Sequence, residues 1–173
     1  MARIKKPVRI LAIDPGLEEI GFVVFEEREL VRYGVKRLRG SKLSHGLLQK
    51  GKIILRDLIE QASPHVLVLE KPSHKERKRN KILRELIAHT KSLARIRRIK
   101  VYEYDPCVAR ECVFREKKPT KKHVAELIAS YYPELSAYVP VKRRILWGKK
   151  DFYWLNVFDA CVLGLHYLGT RKK

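Results

Sequence analysis

"ILAIDPGLEEIGFVVFE", residues 10–26, decides the fold. Its first four residues are apolar and read as a strand buried on both faces. Asp14 then arrives before the run has ended, and Pro15-Gly16 turns the chain. "GFVVFE" (21–26) runs back, and "LVRYGVKRL" (30–38) reverses again around the polar tip "EREL". The three strands are expected to form an antiparallel meander. Taken alone, Asp14 marks only a turn, because Asp and Pro commonly occupy its first two positions.

Outward from this stretch, residues 42–62 place Leu43, Leu47, Leu48, Ile54, Leu55, Leu58 and Ile59 at helical spacing, despite two glycines. "HVLVLEKP" (65–72) is short and continuously apolar, as a central strand is. A long helix over 74–98 and a strand in "IKVYEYDP" (99–106) follow. A strand–helix–strand unit of this kind favours parallel pairing. A short helix over about 107–114, one from the N-cap Thr120 to about Tyr132, a basic loop "PVKRRILWGKK" and a helix over roughly 151–168 complete the chain. The order βββαβαβ, then helices, predicts an α/β domain with a mixed five-stranded sheet flanked by helices.

The 173 residues suit one domain spanning 1–173. Lys and Arg number 39 against 19 Asp and Glu, giving a net charge of +20 on a chain that is 45% hydrophobic. Such an excess repels itself, so a polyanion, with nucleic acid first, is the natural partner. No apolar run approaches the roughly 20 residues that span a bilayer, and the start lacks a signal peptide's pattern. The expectation is a cytoplasmic protein without a membrane partner. Cys107, Cys112 and Cys161 form no CxxC pair and are expected as buried thiols. Two Asn and two Gln among abundant Lys, Arg and Glu give the composition a lean seen in proteins from hot environments.

Asp14 gains meaning beside two other acids. "VLVLEKP" also closes an apolar strand with a carboxylate, Glu70, and proline soon after. If both strands are central and parallel, the two acids meet at one sheet edge. In "WLNVFDACVLGLHYL" (154–168), Asp159 sits in a helix apolar on most faces, where a lone carboxylate would be costly unless paired. Asn156, three residues earlier, shares its face. Asp151 reads as an N-cap or first-turn acid. Three carboxylates at one edge repel unless a cation compensates, and oxygen ligation suits Mg²⁺ or Mn²⁺. In a strongly basic protein this points to phosphodiester hydrolysis with two ions roughly 3.5–4 Å apart.

The sequence resembles the RuvC-type Holliday junction resolvases of the RNase H-like superfamily. The likeness runs through "ILAIDPGLEEIGFVVFE", "LVLEKP", "VYEYDPCVARECV", "KPTKKHVAELIA" and "NVFDACVLGLHY", in the family's order and at about its spacing. It implies an RNase H-like fold and a homodimeric endonuclease that nicks two opposed strands of a four-way DNA junction with divalent metal. Asp14, Glu70 and Asp159 take the places of the family's acids. Asn156 stands where a fourth acid is usual; it can still offer a carbonyl oxygen to the metal, but it brings no charge and no base. Arg110 falls where the family has a basic residue near DNA, and Lys121 matches a lysine near the scissile phosphate. Lys118 and Lys122 flank it as further DNA-binding candidates. Ser73 stands where some relatives carry a wedging aromatic.

Between His74 and Lys100 lie eleven Lys or Arg, with Glu76 and Glu85 the only acids. This is too lopsided for a face of interspersed ion pairs. Lys75, Arg77, Lys78, Arg79 and Lys81 are expected to reach DNA, while the apolar stripe of the same helix supplies a two-fold dimer contact as in the family. Tyr131, Tyr132, Tyr138 and Trp147 are candidates for stacking on unpaired bases, against the commoner fate of buried aromatics. Three other readings stay open: another RNase H-like nuclease acting on RNA–DNA hybrid or structured RNA, a non-catalytic basic nucleic-acid-binding protein, and an actin-like phosphotransferase. The last needs far more chain.

Overall fold

In a computed structural model, residues 7–38, 44–72, 80–140 and 154–171 are described. Five strands, β1 (Arg9–Pro15), β2 (Glu19–Glu26), β3 (Glu29–Arg37), β4 (Val66–Glu70) and β5 (Lys100–Tyr104), form one sheet in the order β3-β2-β1-β4-β5. β1, β2 and β3 pair antiparallel; β1, β4 and β5 pair parallel. The helices are α1 (Ser44–Ala62), α2 (Lys81–Ile96), α3 (Pro106–Phe114), α4 (Lys121–Tyr131) and α5 (Leu155–Thr170). The expected mixed sheet is present, with every strand within two residues of its predicted bounds.

Strand alternation divides the core into two layers. Leu11, Ile13, Leu67 and Leu69 face α1 and α2, where Leu55, Leu58, Leu86 and Ile87 cover them. Ile10, Ala12, Val66 and Val68 face the other way, onto α5 with support from α3 and α4. Continuing that alternation, Asp14 and Glu70 both fall on the α5 side. The functional face is therefore set by the same period-two rule that buries the strands.

Three readings need correction. The helix expected from residue 74 begins at Lys81, because the Asn80 side chain accepts the Leu83 N–H at 3.2 Å and caps it with a non-helical backbone. Residues 73–79, with Ser73, Lys75, Arg77, Lys78 and Arg79, lie outside the described residues, as do Trp147, Asp151 and most of the basic loop. Cys161 is buried as expected, but Cys107 and Cys112 are exposed on α3. That helix buries only Ala109 fully, so most of its positions face solvent. Finally, a 3-10 turn at Pro133–Tyr138 went unanticipated; its apolar pattern is too short to carry a period.

Two glycines set helix positions. In α1, a Cβ on Gly51 would lie 2.6 Å from a Leu86 methyl, so the glycine lets α1 and α2 close up. Gly21, the antiparallel partner of Asp14, would place a Cβ 2.2 Å from the Asn156 carbonyl oxygen. Backbone of α5 therefore rests directly on backbone of β2. Gly21→Ala is expected to cost about 1–3 kcal/mol, a fall in Tm on the order of 5 °C for a chain of this length, measurable by thermal circular dichroism.

Candidate active site

A cavity of about 480 Å³ opens at the end of β1 and β4. Asp14, Glu70, Asp159, Arg110, Lys121 and Asn80 are among its lining residues. Two parallel neighbouring strands bring Asp14 and Glu70 to the same level, because Ile13 pairs with Leu69 one residue earlier. The third acid comes from α5, packed across that face. Sequence positions 14, 70 and 159 thus meet as the sequence pattern anticipated.

Asp14 and Glu70 stand side by side at the strand ends and line the same cavity. Burial, then the charges of Glu70 and Asp159, hold the Asp14 carboxyl well above the usual carboxylate range. Burial, followed by the Asp159 charge, pushes Glu70 up to about 6. Protonation of these acids is favoured in the folded state, so each contributes stability that is complete below its unfolded pKa and disappears as pH rises through its folded one. In chelator, Tm is expected to fall as pH rises from about 4.5 to above 6. The double variant Asp14→Asn, Glu70→Gln should flatten that slope in the same melting series.

Asp159 is 4% exposed and has a different solution. Its Oδ1 accepts from Arg110 Nε at 3.3 Å and Nη2 at 3.1 Å, and its Oδ2 from Lys121 Nζ at 2.7 Å. The Arg110 side chain is only 14% exposed, the Lys121 side chain 52%. Helix α3 positions Arg110 through its N-cap, where Asp105 accepts from the N–H groups of Cys107 and Val108. Thr120 caps α4 in the same manner by accepting from His123 N–H, which places Lys121 at the first helical position. The buried carboxylate expected to need a partner has two.

The remaining candidates divide. Asn156 is half-buried against Gly21 and is not among the residues lining the cavity. Lys118 and Lys122 are exposed. The Lys118 N–H donates to Glu111, and Lys122 pairs with Glu126 at 3.2 Å. Lys81 is exposed at the start of α2, 4.0 Å from Glu85. Of the aromatics, Tyr131 is 73% exposed, whereas Tyr132 packs against Phe25 and donates to the Arg28 carbonyl, and Tyr138 stacks on Trp154 at 3.7 Å. Two polar lining residues escaped sequence reasoning: Glu18, in the turn after β1, and Asn80. Only Asn80 carried a usable signal, as a capping residue just before an apolar periodic run.

Among the described residues no group of three or more His, Cys, Asp or Glu side chains stands in a metal-holding arrangement. The reason is visible in the ion pairs, since Asp159 is turned to Arg110 and Lys121. Asp14 and Glu70 do fit a hard divalent cation. They are two oxygen donors lining one cavity, and the Glu70 charge raises the Asp14 carboxyl, a repulsion that a cation would relieve.

No protein-family model matches the chain, and no curated protein is significantly similar to it in sequence. Solved structures do match in shape. Thermus thermophilus RuvC superposes with a TM-score of 0.68 at 13% identity, over 95% of this chain and 96% of that one. The same protein in complex with a Holliday junction substrate gives 0.67 over the same shares, also at 13% identity. The yeast mitochondrial Holliday junction resolvase Ydc2 gives 0.63 at 13% identity, over 99% of this chain and 83% of that one. With the strand order β3-β2-β1-β4-β5, these likenesses make the fold RNase H-like, as the sequence led us to expect.

Proposed function

We propose that the chain is a metal-dependent, structure-selective endonuclease that resolves four-way DNA junctions by paired nicks, acting as a homodimer. The observation that carries this reading is the convergence of Asp14, Glu70 and Asp159, from β1, β4 and α5, on one cavity that also holds Arg110 and Lys121. A non-catalytic binding protein has no use for buried acids among bases. The net charge of +20 supplies affinity for phosphate without base reading, and likeness in shape to two junction-handling proteins favours the branched substrate.

Asp14 and Glu70 would hold Mg²⁺ or Mn²⁺, with Asp159 joining them for a second ion once a substrate phosphate draws Lys121 away. Divalent metal supplies charge neutralisation at the phosphate and an activated water. Lys121, half in solvent and half on Asp159, is placed to exchange a carboxylate for a phosphate oxygen. Arg110 is more enclosed and keeps Asp159 in place. Lys81, Lys118 and Lys122, all exposed, would contact the DNA backbone and position it without reading bases. Asn156 contributes no charge in this reading.

The test compares four substrates with Mg²⁺ and in chelator: a four-way junction, linear duplex, RNA–DNA hybrid and structured RNA. Symmetric nicks on the junction alone support the reading. Preferred cleavage of hybrid or structured RNA would reassign the substrate within the fold, and equal behaviour with and without metal would overturn the nuclease reading.

A further inference from the structure

Charge alone leaves the cavity with a problem of recognition. A phosphodiester entering it meets acidic side chains and two cationic ones already bonded to Asp159. Asn80 is the neutral polar side chain among its lining residues. The Asn80 Oδ1 is committed to the Leu83 N–H at 3.2 Å, while the Asn80 carbonyl accepts from Arg84 N–H at 3.3 Å. Leu83, 8% exposed, lines the same cavity, so the first turn of α2 is packed into its wall. With Oδ1 occupied, the polarity left in the side chain is the Nδ2 amide and its two N–H donors. No partner for Nδ2 is found among the described residues.

We infer that Asn80 is a substrate-contacting residue whose capped side chain presents Nδ2 to a non-bridging oxygen of the phosphodiester in the cavity. This rests on the nuclease reading above and deepens it. The residue type follows from its neighbours. A Lys or Arg at this place would add a competing charge to a cavity lined by acids; an Asp or Glu would repel the phosphate. An amide donates without adding charge, and the cap removes the rotamer freedom that binding would otherwise have to freeze. The arrangement also ties the start of the basic helix to the reacting phosphate, so that α2 is in register with the site when DNA lies along it.

Capping and contact can be separated. Ser caps a helix about as well as Asn, but its hydroxyl is committed to the cap and its side chain is shorter. Asn80→Ser is therefore expected to keep Tm within about 2 °C of the parent, whereas Asn80→Ala loses the cap and melts lower. Both variants are expected to cut the junction with kcat/KM reduced about 10–100-fold, the effect of one hydrogen bond to a charged group. A kcat/KM for Asn80→Ser within threefold of the parent overturns the inference, and so does an activity loss that appears only in Asn80→Ala. If the parent cuts no junction, the nuclease reading fails by itself. Junction affinity in chelator then decides on Asn80: equal Kd for the parent and Asn80→Ser removes the contact, and a weaker Kd at unchanged Tm supports it.

Discussion

Asp14→Asn is expected to abolish Mg²⁺-dependent cleavage of a four-way junction, by on the order of 10³-fold, while leaving Tm in chelator unchanged or higher. The rate loss follows from the worth of metal-ion charge stabilisation, several kcal/mol, with each 1.4 kcal/mol about a tenfold change. The stability result follows from the state of the acid. Burial and the neighbouring acids hold the Asp14 carboxyl well above the usual carboxylate range, so the fold favours its neutral form. Asn replaces that carboxyl with a group of equal size that is neutral at every pH. Single-turnover cleavage paired with thermal melting checks both halves. A fall in rate accompanied by a fall in Tm would mean that the variant had damaged the fold; Glu70→Gln repeats the measurement at the neighbouring acid.

Arg110→Met is expected to give the largest loss of stability. Removing one partner of a buried ion pair costs about 3–5 kcal/mol because the other charge is stranded. Asp159 keeps Lys121, a side chain more than half in solvent, and this places the expectation at the lower end, a fall in Tm of about 6–12 °C. Combining Arg110→Met with Asp159→Leu should recover most of it, since an apolar pair of similar volume is often neutral. The outcome separates two roles for this arginine. A residue serving only as a DNA phosphate contact would leave Tm alone and lower the salt slope of junction binding by about one. Thermal melting and a salt titration of binding on the same protein distinguish them.

The sequence made most of the sheet legible because strands that are buried on both faces need continuous apolar runs, and such runs cannot be disguised. Asp14 and Glu70 could be located for the same reason: an acid closing an apolar strand breaks a pattern. Asp159 was legible through its cost, as a carboxylate with apolar neighbours on every side. What could not be read was who would meet that cost. The partners are Arg110 and Lys121, 49 and 38 residues distant in sequence, and among 39 Lys and Arg nothing local distinguishes a side chain turned inward from one in solvent. Asn80 and Glu18 escaped likewise, because a cavity wall is built from residues that share no period. Asn156 was singled out by spacing along α5, but spacing along a helix cannot say that the β2 backbone would lie beneath it.

That contact between Gly21 and Asn156 sets α5 apart from a helix that rides on a layer of side chains. Here α5 touches the sheet main chain to main chain, directly across from Asp14, so its height at that point is set by atomic radii common to every amino acid. With glycine at position 21, the gap across which Asp14 faces the helix of Asp159 is held by main-chain atoms and not by the fit of side chains.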